Sequence, residues 1–349
     1  MSPIHICKNT TCTITGGEFI DTIGNQVIYS HGDGILDIQG GTFKSAFTEF
    51  PSRNLITITG TTNCSISSGT FNSYGRAAVA VKGSASLEVK EDTINGKPIP
   101  IFQGNGKAIA IEGGSSVNIT AGNFTSDYGI WIRNDSTTSP ITISNINMNT
   151  KWEGIRTYDD WIGSIPASKD LTINIDNVII DTTWKSVLGA SSSSNSICNI
   201  TNSNIPHLYN TGSMKYYIGE NTTIQTAESH SKNGFNMTLD NCEVVKITPS
   251  LLMKEINYQN RVSLKNSVIL SELYYCDISL LANANINMSD STVNLYGTTT
   301  INPQGYTLNG LTSNFEIKTD ASLTVSGNGT IKSGCGNGTI INYGTLTIN

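Results

Sequence analysis

The hexapeptide Ile14-Thr-Gly16-Gly-Glu-Phe19 returns as Ile38-Gln-Gly40-Gly-Thr-Phe43 and again as Ile66-Ser-Ser68-Gly-Thr-Phe71, and this recurrence decides the fold. In each copy an aliphatic residue is followed two places on by a small turn residue and five places on by an apolar anchor. Val89-Lys-Glu91-Asp-Thr-Ile94 and Ile119-Thr-Ala121-Gly-Asn-Phe124 keep that spacing. Further along the turn residue becomes asparagine, in Ile143/Asn145/Met148, Ile175/Asn177/Ile180, Ile200/Asn202/Ile205, Leu239/Asn241/Val244 and Leu264/Asn266/Ile269, and Met288/Asp290/Val293 closes the series. The anchors recur every 23 to 39 residues, Phe71 to Ile94 being the shortest step and Ile205 to Val244 the longest. A period of this size marks a solenoid, whose units bury their apolar faces only by stacking on one another.

Working outward from the repeat, each copy contains a short strand, because its aliphatic positions alternate with Thr, Ser, Asn or Asp that suit an outer face. A second strand precedes many copies, as in Val27-Ile28-Tyr29, Leu55-Ile56-Thr57-Ile58, Ala78-Val79-Ala80-Val81, Ala108-Ile109-Ala110-Ile111 and Gly129-Ile130-Trp131-Ile132. No stretch reads as a long helix. Two or three short strands per coil, with Gly, Ser and Asn at the corners, describe an all-β chain, a single parallel β-helix of about 12–14 coils. One domain is expected over residues 1–349, with loop insertions at 158–170 and 206–235. The chain reads as a segment of a longer protein, continued end to end by further repeats, because an uncovered solenoid end exposes unpaired strand edges.

The Gly-Gly-Thr-Phe turns and the closing Gly338-Thr-Ile-Ile-Asn-Tyr-Gly-Thr-Leu-Thr-Ile-Asn349 carry a resemblance. The chain resembles the right-handed parallel β-helix proteins of the pectate-lyase-like superfamily over most of its length, and its repeats look like those of adhesin-type bacterial surface proteins. The resemblance implies a right-handed coil and an extracellular or cell-surface location. It does not assign an activity, since the scaffold hosts lyases, hydrolases, tailspikes and non-catalytic binders.

Charged residues make up 14% of the 349, with a net charge of −6. That balance offers no basic stripe, so nucleic acid is not an expected partner. No run of about 18 apolar residues occurs, so membrane insertion is not expected, and Met1-Ser-Pro-Ile-His-Ile does not read as a signal peptide. Seven cysteines, Cys7, Cys12, Cys64, Cys198, Cys242, Cys276 and Cys335, are scattered and odd in number, and are read as small buried residues. The histidines at 5, 31, 207 and 230 do not pair with them at metal-ligand spacing, so neither metal nor cofactor is expected. Two rows read as structural. The repeated asparagines form a ladder that bonds to buried corner groups, and Phe19, Phe43, Phe71 and, after Ile94, Phe124 stack as aromatic filler.

The functional signal is the clustering of all four tryptophans, Trp131, Trp152, Trp161 and Trp184, within 54 residues. Aligning the preceding strands puts Ala80, Ala110, Trp131 and Arg156 in one outward row and Lys82, Glu112, Arg133 and Tyr158 in the next, with an inserted loop, Tyr158-Asp-Asp-Trp161, beside them. Aromatic faces stack on sugar rings while guanidinium and carboxylate groups bond to hydroxyls or uronates. The expected site is therefore Trp131, Arg133, Trp152, Arg156, Tyr158, Asp159, Asp160, Trp161 and Trp184. The expected function is non-catalytic binding of a polysaccharide, a cell-surface glycan or a host surface. The alternative is a polysaccharide lyase or glycoside hydrolase using Asp159 and Asp160 with Arg156, calcium entering only in the lyase case. Against it, Trp131-Ile-Arg-Asn134 departs from the Trp-Ile-Asp-His motif of the lyases, and of the hydrolase motifs only Asp159-Asp160 is matched. A structural stalk or tailspike-like shaft is the third reading.

Overall fold

The computed structural model describes the chain except residues 1–3, 46–52, 115, 134–139, 159–169, 183, 192, 250–258, 288–291, 311–313 and 333–339, and the side chain of Asn287. Among the described residues the regular structure is entirely strand, and the strands pair in parallel from one coil to the next. The chain is thus all-β and of the parallel β-helix class. It divides into two compact units, Met1–Ser196 and Ile197–Asn349.

In the N-terminal unit every coil contributes to three strand rows. The first row runs through Ile4–Ile6, Ile28–Ser30, Ile56–Ile58, Ala77–Gly83, residues 107–113, residues 128–133, Glu153–Tyr158 and Lys185–Gly189. The second carries the aliphatic residue of each repeat, Ile14, Ile38, Ile66, Val89, Ile119, Ile143 and Ile175, all buried. The third carries the anchors. Phe19, Phe43, Phe71, Phe102 and Phe124 stack at centroid distances of 4.9, 5.0, 5.0 and 4.9 Å, the same step as the coils themselves.

This column corrects the expectation for Ile94, which is 91% exposed. Residues 90–100 form an outer loop, in which Asp92 accepts hydrogen bonds from the backbone N–H of Ile94 and Asn95, and the anchor place passes to Phe102. A large ring wins the site because it completes the stack that an isolated isoleucine would interrupt.

The asparagine row also has a different cause from the one expected. Asn145, Asn177, Asn202, Asn241 and Asn266 are exposed, not buried, and each has φ between +50° and +58°. Asparagine tolerates this left-handed conformation better than other side-chain-bearing residues. In the early coils the corner is made one place later by Gly17, Gly41, Gly69 and Gly122, whose φ of +101° to +145° only glycine adopts readily. Side-chain links between coils do occur, Asn177 Nδ2 donating to Asn145 Oδ1 at 2.8 Å, but they decorate a backbone requirement.

The C-terminal unit repeats the three-row plan. The row that carries its aliphatic repeat residues, Ile200, Leu239 and Leu264, links Ile197–Thr201, Lys215–Ile218, residues 236–239, 261–264 and 276–280, Thr298–Asn302, Ser322–Val325 and Thr345–Ile348. Residues 206–235, expected as an inserted loop, belong to this lattice: Lys215–Ile218 and Thr223–Ser229 are paired on both sides within complete coils. Asn221 (φ +54°) stands in the asparagine row and donates to Asn202 Oδ1 at 3.0 Å. Tyr216, fully buried, meets Phe235 edge-on at 5.5 Å. Two buried asparagines close inner corners, Asn210 bonding to Gly212 and Gly234, and Asn260 to Phe235 and Tyr274. The copy at Met288/Asp290 lies outside the described residues, and its anchor Val293 is buried in Thr292–Tyr296.

Cys64, Cys198, Cys242 and Cys276 are buried as expected, and Cys12 is half-buried. Burial pushes the thiols of Cys198, Cys242 and Cys276 up to about 12, which keeps them protonated and unreactive. Cys7 is exposed, contrary to the reading of the cysteines as core, and Cys335 lies outside the described residues.

Candidate binding face on the first row

The outer side of the first row in the N-terminal unit has the register expected from the sequence. Thr57, Ala80, Ala110, Trp131, Arg156 and Leu188 lie side by side, as do Arg133 and Tyr158. Along this line the side chains change from small to large. Thr57, Ala80 and Ala110 point outward yet are buried, so they form a low floor between taller neighbours. The line rises at Trp131.

Trp131 is not an open stacking platform. Lys107 Nζ lies 4.2 Å from its ring centroid and the Arg156 guanidinium 4.6 Å, while Tyr128 meets it edge-on at 5.4 Å and Tyr158 is tilted against it at 5.4 Å. Arg156 is fixed in turn by Glu153, which is 1% exposed and accepts Nη1 at 2.9 and 3.1 Å. The Trp131 indole N–H is buried with no protein acceptor among the described residues, so packing and two cation–π contacts hold the ring. Burial lowers the Lys107 pKa, and the nearby Arg76 lowers it further.

Trp152 and Trp184 lie at the corner just before this row, linked by the bond from Lys185 N to the Trp152 carbonyl. They are 40% and 51% exposed, each with a neighbouring lysine over its ring, Lys151 at 5.1 Å and Lys185 at 3.8 Å. Asp159, Asp160 and Trp161 lie outside the described residues. The fold therefore unites Trp131, Arg133, Arg156 and Tyr158 as expected, with Trp131 and Arg156 spent largely on each other.

Beyond the floor the face opens into a cleft of about 650 Å³. It is lined along one side by Arg53, Asn54 and Arg76 and elsewhere by Thr57, Thr59, Lys82 and Glu112, with His5 and Tyr29 at the end formed by the first coils. Glu112 is neutralised by Lys82 at 2.7 Å. Arg53, Arg76 and Lys107 form no salt bridge among the described residues, which leaves the cleft and its margin cationic on a chain of net charge −6. Sequence reading missed the arginines because they sit at corners preceding strands, where no periodicity applies. Tyr29 and Thr57 were within reach, since their strands had been recognised.

At the far end of the cleft His5, Cys7 and His31 come together, although their sequence spacing did not suggest it. Compared with protein-family models, curated proteins and solved structures, the chain matches none.

Proposed function

We propose that this chain is a non-catalytic binding module for acidic glycans, acting at a cell surface or outside the cell, with the cleft of the first row as its binding face. The observation that carries the proposal is the pair of exposed arginines, Arg53 and Arg76, which form no salt bridge among the described residues and line the cleft together with Tyr29, Thr57 and Thr59. Guanidinium forks bind carboxylates and sulfates bidentately, and hydroxyl- and amide-bearing residues such as Thr57, Thr59, Asn54 and Gln26 suit sugar hydroxyls. A linear groove on stacked coils suits a linear polymer. The right-handed sense and a kinship with adhesin-type members of the pectate-lyase-like superfamily belong to the same proposal, resting on the Gly-Gly-Thr-Phe repeats. For the enzymatic reading, Glu153 and Arg156 are already committed to each other.

The test is a glycan array spanning neutral, uronate-bearing and sulfated chains. Wild type is expected to bind acidic glycans, and Arg53→Ala/Arg76→Ala to lose at least about tenfold, as two charge-assisted hydrogen-bonding groups are removed. Trp152→Ala/Trp184→Ala, outside the cleft, should bind as wild type does. Binding that ignores the arginine changes, or that prefers neutral chains, overturns the proposal, as does the absence of binding.

A further inference from the structure

We propose a zinc-type metal site formed by His5, Cys7 and His31 on the first two coils of the N-terminal unit. Their candidate ligand atoms, two imidazole nitrogens and one thiol sulfur, all lie within 4.8 Å of one another.

The backbone accounts for the cluster. His5 lies on the strand Ile4–Ile6 and Cys7 follows it directly, so the two exposed residues flank buried Ile6 on the outer side. The neighbouring strand is in register, His5 beside Tyr29 and Ile6 beside Ser30, and His31 N donates to the Ile6 carbonyl at 3.0 Å, which sets His31 next to Cys7. The His5 and His31 rings stack at 4.8 Å. His31 Nδ1 also lies 3.3 Å from the Ile6 carbonyl oxygen. A carbonyl only accepts, so Nδ1 carries the proton in that contact and Nε2 keeps its lone pair for a metal. This is the outer-sphere arrangement that orients metal-binding histidines.

The donor set selects the ion. One thiolate and two imidazoles suit Zn²⁺ and exclude the oxygen-seeking Ca²⁺ and Mg²⁺. Around Zn²⁺, with bonds of about 2.0–2.3 Å, tetrahedral donors sit roughly 3.3–3.6 Å apart. Exposed side chains reach that spacing from the present one by small rotations about χ1 and χ2. Three protein ligands leave a fourth position for water or for a ligand group. His5 also lines the glycan cleft, so metal uptake is measured without glycan and stands or falls independently of the reading above.

The experiment titrates the reduced, metal-free full chain with Zn²⁺ against a chromophoric chelator, and with Co²⁺ while following the near-ultraviolet thiolate-to-cobalt absorption. The expected result is one Zn²⁺ per chain, with affinity reduced about 100-fold or more in Cys7→Ser and in His31→Ala, at least the loss typical of removing an outer-sphere partner. The cobalt–thiolate band should vanish in Cys7→Ser and persist in Cys12→Ser, whose half-buried thiol serves as control. Both positions changed in the site, Cys7 and His31, are exposed, so circular dichroism should show these variants folded as wild type. Failure to take up stoichiometric Zn²⁺ overturns the proposal, and so does uptake unaffected by Cys7→Ser and His31→Ala.

Discussion

Asn241 stands for a row of residues kept for their backbone. With φ at +53° and its side chain exposed, its value lies in tolerating a left-handed corner that costs most side chains about 1–2 kcal/mol. Asn241→Leu should therefore lower stability by about 1–2 kcal/mol in denaturant unfolding, whereas Asn241→Gly should stay within a few tenths. Among the described residues, the side-chain bond the glycine loses is the one from Ser267 N to Asn241 Oδ1, long and exposed at 3.2 Å. Equal losses for the two changes would return the row to a side-chain ladder. Arg156 teaches the opposite lesson, since its head group is held by a buried acid. Arg156→Ala strands the Glu153 carboxylate and should cost about 2–3 kcal/mol, less than a fully enclosed pair because the Arg156 side chain is 32% exposed. A thermal melt unchanged by Arg156→Ala would show the pair to be incidental and free Trp131 for a role in binding.

At the scale of the element, the phenylalanine column separates what the repeat displays from what packing decides. Phe102→Ala should cost about 3–5 kcal/mol by opening the stack between Phe71 and Phe124, while Ile94→Asn should be neutral in the same unfolding assay. The reverse ranking would reinstate Ile94 as the anchor. The second-row strands were legible because alternating aliphatic residues report an inner face directly. Phe102 was not, because the loop at 90–100 moves the anchor from five to thirteen places after Val89 while leaving a false match at Ile94. The coil through Lys215–Ile218 escaped for a smaller reason: Ile218 and Asn221 are three places apart where the other copies have two. One added residue hid a coil whose pairing is otherwise regular. For the binding face, strand alignment brought Trp131, Arg133, Arg156 and Tyr158 together, but it could not show that Lys107 and Arg156 cover the indole, nor that corner arginines border the cleft.

For the molecule as a whole, the distribution of charge matters more than its sum. A net charge of −6 would repel an acidic polymer at long range, yet among the described residues the first-row acids Glu112 and Glu153 are paired, while Arg53, Arg76 and Lys107 form no salt bridge. Attraction of this kind is local and screened, the Debye length falling from about 8 Å at physiological salt to about 3 Å at 1 M. Binding of an acidic glycan should accordingly weaken steeply over that range, and titrations showing no salt dependence would favour a stacking surface such as Trp152 and Trp184. The most direct measurement of the central claim is hydroxyl-radical footprinting of the full chain with and without an acidic oligosaccharide selected on the array, since radicals oxidise exposed aromatic side chains in place. The account predicts protection of Tyr29 and His5 in the cleft, with Trp152 and Trp184 oxidised equally in both samples. Protection of Trp152 and Trp184 with Tyr29 and His5 unchanged would contradict it.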